Sequence, residues 1–216
     1  GLADGFTADL SKISEVYHFV IQVKQKYKEL DVLINNAGVL KTQSVITGDG
    51  LDTRFAVNTF APYILAKQML PLLRNNGKVI NVASAAQAPV DVNALVGKKY
   101  GLKDLEAYSQ SKLAMIMCSL WMSRCTKENK TVFVSVNPGS LLGTKMVKES
   151  FNIDGKDINI GADILIYLAT IEDSLRMSAK YYDNDCGKYS DPHPDAFDEE
   201  KCFKIIEALD AVIKVP

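Results

Sequence analysis

Histidine is almost missing from this chain: 216 residues carry two, His18 in a helical run and His193 in a proline-flanked loop. A zinc centre or a Ser-His-Asp triad is hard to assemble from that pair, and no metal site is expected. Cysteine is sparse as well. The four present, Cys118, Cys125, Cys186 and Cys202, form no C-x-x-C and no dense framework, which points to reduced thiols in a cytosol-like compartment. Cys118 and Cys125, seven apart on one predicted helix, read as packing residues. An excess of charge of either sign is lacking: Lys+Arg number 25, Asp+Glu 26, and no long like-charge block occurs. Neither nucleic acid nor an anionic membrane is therefore advertised as a partner. The most apolar run, Leu113 to Met122, is too short to cross a bilayer. Repeats, linkers and low-complexity stretches are absent too, so 1–216 reads as one domain. A hydrophobic content of 47% suffices for one sizeable core.

What is present alternates between two periods. A short strand at 5–9 enters a helix with Ser11 as its N-cap, and Ile13, Val16, Tyr17, Val20, Ile21, Tyr27 and Leu30 recur at helical spacing. Asp31 to Asn35 is an apolar strand. Residues 51–73 form a long helical stretch containing Pro62 and Pro71; residues 78–84 are a second apolar strand, ending in Ser84. After a longer connection over 85–104, a helix runs from Tyr108 to about Cys125. Strands at 131–136 and 179–182 and helices at 160–171 and 203–213 complete the chain. Strand, long helix, apolar strand is the rhythm of a doubly wound parallel α/β sheet.

Several details within that rhythm carry chemistry. Asn35-Asn36-Ala37-Gly38 stands at the carboxyl end of a strand, where open α/β sheets bind ligands and small residues let a ligand approach the backbone; a plain Asn/Gly turn would look the same. Pro62 has no amide hydrogen for the carbonyl of Asn58, so the helix should bend there, leaving a carbonyl that can hold a water or simply a kink that serves packing. Tyr108 and Lys112, four apart, share one face of their helix. A cation beside a phenol favours the phenolate and should lower the phenol's pKa towards neutrality. That helix is apolar nearly all round, so its second side needs a cover. A neighbouring helix or a second subunit could supply it, and a homo-oligomer through 51–73 and 108–125 is expected.

Taken in order, Asn36-Ala37-Gly38, Asn58, Ser84, Tyr108-x-x-x-Lys112 and Pro138-Gly139 resemble the short-chain dehydrogenase/reductase family over essentially the whole chain. Asp9-Leu10 resembles the pair with which that family borders the adenine ring. The long interval between Ser84 and Tyr108, with Tyr-Tyr-Asp-Asn-Asp at 181–185, is most similar to its retinol-dehydrogenase-like branch. The resemblance implies a Rossmann-like fold, NAD or NADP as cofactor, and a small-molecule alcohol or carbonyl as substrate. It implies Tyr108 as general acid/base, Lys112 on the nicotinamide ribose, Ser84 on the substrate oxygen and Asn58 holding a water. Asn36, Ala37 and Gly38 would line the adenine ribose; Pro138, Gly139 and Thr144 would flank the nicotinamide. Thr144 stands one residue further from Pro138-Gly139 than the family's usual spacing.

One family element is lacking altogether. No Thr-Gly-x-x-x-Gly-x-Gly occurs, so the turn that presents a helix N-terminus to a pyrophosphate is absent, and the choice between NAD and NADP stays open. In the family's strand order 3-2-1-4-5-6-7, the strand at 5–9 would be the third and that at 31–35 the fourth. They would lie three spacings, roughly 14 Å, apart with nothing between. The expectation is an N-terminally incomplete fold whose native polypeptide begins before Gly1. Direct pairing of these two strands would instead favour the alternative reading, a non-catalytic or truncated member acting as a binding or assembly partner. A nucleotide-sugar epimerase or dehydratase shares Tyr-x-x-x-Lys, but little chain follows Lys112 to build a sugar-binding lobe.

Overall fold

Runs of β-branched residues become parallel neighbours. The structure, a computed structural model, describes residues 3–126, 130–172 and 174–213. Strands β1 (Leu30–Asn35), β2 (Leu73–Val82), β3 (Val132–Asn137) and β4 (Lys180–Asp183) pair in that order, all parallel, and β5 (Lys188–Ser190) closes the far edge antiparallel to β4. Register aligns Ile34, Ile80 and Val134, so side chains of one parity share a face. Leu33, Val79, Phe133 and Tyr181 enter the larger core, whereas Val32, Ile80, Val82, Val134 and Val136 enter the smaller. Burial on both faces explains why these strands read as continuous apolar runs.

Helices cover both faces. α1 (Ile13–Lys26), α2 (Thr53–Phe55), α3 (Ala61–Met69), α5 (Asp104–Cys125) and α8 (Glu199–Ile213) supply the larger core, and α7 (Asn159–Thr170) covers the other side. The short α4 (Val92–Leu95) lies in the connection before α5, and α6 (Lys145–Phe151) in the stretch before α7, which the sequence left unassigned along with β5. α5 is buried on nearly every side by its own chain. β3 and α3 take part of its surface and α8 another, with Trp121 and Phe203 in ring contact at 5.7 Å. Of the two covers expected for this helix, a neighbouring helix or a second subunit, the C-terminal helix of the same chain provides one. Cys118 is buried in this packing, but Cys125 is exposed, so only the first of that pair packs. Among the described residues no helix is long and apolar enough to cross a membrane.

Residues 5–9 do not form the expected strand. Without a neighbouring strand to pair with, they run as an irregular strap along α1, with Phe6 edge-on to Phe19 at 6.0 Å. They do not pair with β1. Between strap and strand lies a mainly apolar cavity of about 250 Å³ lined by Phe6, Leu10, Phe19, Leu33 and Leu65. Nor does Ser11 cap α1. The Asp9 carboxylate accepts from the Ser11 amide at 3.0 Å, and Asp49 accepts the Ile13 amide at 2.9 Å, doing the capping from a distant loop. Tyr27 closes α1, and Leu30 belongs to β1.

The long helical stretch breaks at Pro62, by a change of register. Residues Ala56–Phe60 form a π-helical turn in which the Ala61 amide reaches the Ala56 carbonyl, and Leu70–Leu72 tighten into a 3₁₀ turn at Pro71. Just ahead, Arg54 is fully buried. Its guanidinium meets Asp52 through Nε at 2.8 Å and Nη2 at 2.6 Å, and reaches Asp104 at the start of α5. Removing it would strand the buried Asp52 carboxylate. Arg54→Ala is expected to cost roughly 3–5 kcal/mol of folding stability, read by denaturant unfolding, whereas a loss under 1 kcal/mol would show the pair to be solvated.

Candidate active site

Asparagine ends β1 and β3 and stands one residue before the end of β2, and those amides are the site's frame. Asn35 Nδ2 donates to Asn81 Oδ1 at 2.8 Å across β1 and β2, and Asn137 Nδ2 reaches Asp183 and Asp185 at 2.8 and 2.9 Å. Asn81, Asn137 and Asp185 went unnoticed in the sequence. The signal that could have found them is a polar residue closing an otherwise apolar strand (Ile34-Asn35, Ile80-Asn81, Val136-Asn137). Beyond these ends opens a cavity of about 740 Å³. Asn36, Ala37 and Gly38 line it from β1, Ser84 from the loop after β2, Tyr108 and Lys112 from α5, and Pro138, Gly139 and Thr144 from the loop after β3. The structure thus brings nine candidates, from separate stretches of the chain, to one space. Strand β2 stops at Val82, so Ser84 lies two residues into the loop rather than on the strand.

Asn58 works from beneath. Its buried side chain accepts from the Val39 amide at 2.8 Å and donates to the Val39 carbonyl and to Ser111 Oγ, both at 2.9 Å. It thereby ties the Asn36–Val39 turn to α5 within the π-helical turn at Ala56–Phe60. Leu10 lines the smaller cavity together with Asn36 and Ala37, while Asp9 is turned away, engaged with Ser11 and Lys12.

Lys112 is buried, with its amine donating to the Val82 carbonyl at 2.7 Å and 5.7 Å from the Tyr108 ring centroid. Burial lowers its pKa to about 8. Tyr108 departs from expectation. Burial raises the phenol's pKa, and the influence of the Ser84 side chain lowers it only in part. The cation expected to dominate is committed to a backbone carbonyl instead, so desolvation wins. Ser84 is itself held: its Oγ accepts the Ala86 amide at 3.1 Å, and its carbonyl accepts Tyr181 Oη at 3.2 Å and Gln87 Nε2 at 3.1 Å. Thr144 Oγ1 accepts the Val147 amide at 3.3 Å, capping α6 while facing the cavity.

Glycine at 38 keeps the lysine open to the cavity. A Cβ there would stand 3.3 Å from Lys112 Nζ and 3.4 Å from Asn58 Oδ1. These groups suit the nicotinamide-ribose half of a dinucleotide: an ammonium beneath a side-chain-free turn, with a phenol and a hydroxyl on the same cavity. The pyrophosphate-binding turn has no counterpart in the sequence.

Comparison with known proteins gives the family. Residues 1–154 match the family model described as short chain dehydrogenase. Human retinol dehydrogenase 13 is 28% identical over 212 residues, covering 89% of this chain; the chain spans only 63% of that protein's length. In fold, it is similar to a protein of Mycobacterium paratuberculosis (TM-score 0.76, 22% identity, 96% of this chain and 74% of the other). It is also similar to NADPH-bound carbonyl reductase from chicken fatty liver (TM-score 0.63, 21% identity, 85% and 75%). With the ordered motifs gathered around one cavity and the family model matching most of its length, this chain belongs to the short chain dehydrogenase family.

Proposed function

We propose that this protein interconverts an alcohol and a carbonyl compound with NAD or NADP, Tyr108 acting as general acid and base. The observation that carries the reading is the grouping of Tyr108, Ser84 and Lys112 on one cavity. The nicotinamide, when bound, supplies or accepts the hydride. Tyr108 gives its proton to the carbonyl oxygen during reduction and takes it back during oxidation. Ser84 donates to the same oxygen as charge develops on it, with its loop held by Gln87 and Tyr181. Lys112 serves the ribose hydroxyls, its amine held in place by the Val82 carbonyl. Asn58 holds the turn that shapes this floor, and its carbonyl is proposed to hold a water on the lysine's proton path. Asn36, Ala37, Gly38 and Leu10 are assigned to the adenosine side; Pro138, Gly139 and Thr144 to the nicotinamide side.

The substrate end is apolar: Leu105, Leu141, Met146, Phe151, Ile158 and Leu165 line the cavity. A carbonyl carried on an apolar body is the class this wall suits, since burying apolar surface drives its binding. The test is NADH and NADPH oxidation against a carbonyl panel graded in size and polarity. Turnover improving with apolar bulk supports the assignment, and a preference for charged substrates overturns the class. The competing reading, a non-catalytic binding partner, draws on the absent phosphate-binding turn; failure of the purified protein to bind either dinucleotide would favour it. Self-association through α3 and α5 loses its motive, because α1 and α8 already cover them. With four free thiols, a reducing cytosol-like compartment remains the proposed location.

Gly38→Ala is expected to press on the Lys112 amine and raise cofactor KM about tenfold, with a smaller effect on kcat, in steady-state kinetics. Unchanged KM would mean the amine is not beneath the bound ribose.

A further inference from the structure

The loop after β3 is strained and tied from behind. Gly139 (φ 123°) and Leu141 (φ 57°) both lie in the left-handed region, which a leucine rarely adopts unless its surroundings impose it. On one side the Lys156 backbone holds the loop, its amide on the Leu141 carbonyl and its carbonyl accepting from the Gly143 amide, each at 2.7 Å. On the other side stands the β4–β5 turn. Asn184 Nδ2 donates to the Pro138 carbonyl at 2.9 Å and the Ile160 carbonyl at 3.2 Å. The Asp185 carboxylate accepts from the Ser140 amide at 2.9 and 3.1 Å, from Ser140 Oγ, and from Asn137 Nδ2 at 2.9 Å, with Lys156 Nζ at 3.6 Å. One residue of the turn thus grips a carbonyl of the loop, and the next grips the amide two residues on.

We propose that Asp185, with Asn184, is a positioning residue that fixes the shape of the 138–143 loop and thereby sets affinity for the nicotinamide half of the cofactor. The proposal rests on the oxidoreductase reading above. Neither residue lines the cavity, so their action passes through Pro138, Gly139 and Ser140, which do. The carboxylate is held in its ionised form well below neutral pH. Partial burial works against the charge, but the Ser140, Asn137 and Lys156 interactions outweigh it and bring the pKa to about 2. Charge matters because all its partners are donors: an asparagine at 185 can offer only one acceptor and would turn an amide group on Asn137 or Lys156.

The experiment compares wild type, Asp185→Asn and Asp185→Ala by NADH and NADPH fluorescence titration and by hydrogen exchange of peptides covering 138–144, β2 and β3. Exchange over 138–144 is expected to rise at least about tenfold, with β2 and β3 unchanged. Cofactor Kd should rise by about tenfold or more, the alanine variant worse than the asparagine, because several charge-assisted hydrogen bonds are lost. Unaltered loop exchange would show that the carboxylate does not hold the loop. Loosened exchange with unchanged Kd would separate the loop from cofactor affinity. Faster exchange throughout the sheet would make Asp185 a general stability residue. Each of these overturns the proposal while leaving the oxidoreductase reading in place. If the wild type binds neither cofactor, that reading falls and carries this inference with it, a result the wild-type titration alone distinguishes.

Discussion

Tyr108→Phe is expected to lower turnover by at least about 100-fold while leaving cofactor affinity within a few-fold of wild type. The change removes one hydroxyl. The ring keeps its place on α5, since the hydroxyl is not part of the core packing and Lys112 is anchored to the Val82 carbonyl independently of it. Lost with the hydroxyl is the proton, and no other titratable side chain on the cavity replaces the phenol: Lys112 is buried and Lys145 is at the rim. The measurement is kcat and cofactor Kd on the same preparation. Activity above a few per cent of wild type would remove Tyr108 from the chemistry, whatever the sequence pattern suggests.

Lys112→Met should damage both turnover and cofactor binding, and should also stabilise the protein in a pH-dependent way. Burial holds the Lys112 ammonium down to about 8, against an ordinary lysine near 10.4. The folded state therefore disfavours the charged form. Its contribution is neutral above the unfolded pKa, becomes unfavourable as pH falls from about 10.4 towards 8, and is constant below that. The gap corresponds to at most about 3 kcal/mol, offset in part in the variant by the Val82 carbonyl left without its donor. Melting curves of wild type and variant should thus differ most below pH 8 and converge as pH rises towards 10. Curves that run parallel across that range would mean the lysine is solvated. A cofactor affinity unaffected by the substitution would mean that Lys112 does not meet the ribose. Such a trade of stability for function is expected of a cation held in a dry site.

The chain by itself determined the alternation of strand and helix, because burial on both sides of a parallel sheet forces continuous apolar runs that are visible without a structure. β1, β3, β4 and α7 were legible to within a residue or two, and α5 apart from its first turn, which begins at Asp104. The Tyr108–Lys112 spacing and the break at Pro62 were equally plain, since helical geometry and a missing amide are local facts. Local facts also misled. Residues 5–9 have a strand's composition but no strand beside them, and a strand is defined by its partner's hydrogen bonds. The α1 cap fell to Asp49, thirty-six residues from Ile13, where no short-range pattern could point. Only the tertiary structure decided the electrostatics of the site. Spacing put a cation next to a phenol, but folding handed that cation's hydrogen bond to the Val82 carbonyl and buried both groups, so desolvation rather than charge governs them. It likewise decided what holds the cofactor loop. Asp185 and Ser140 are forty-five residues apart in the chain, and their contact exists because β3 and β4 are neighbours whose register brings both ends to the same edge.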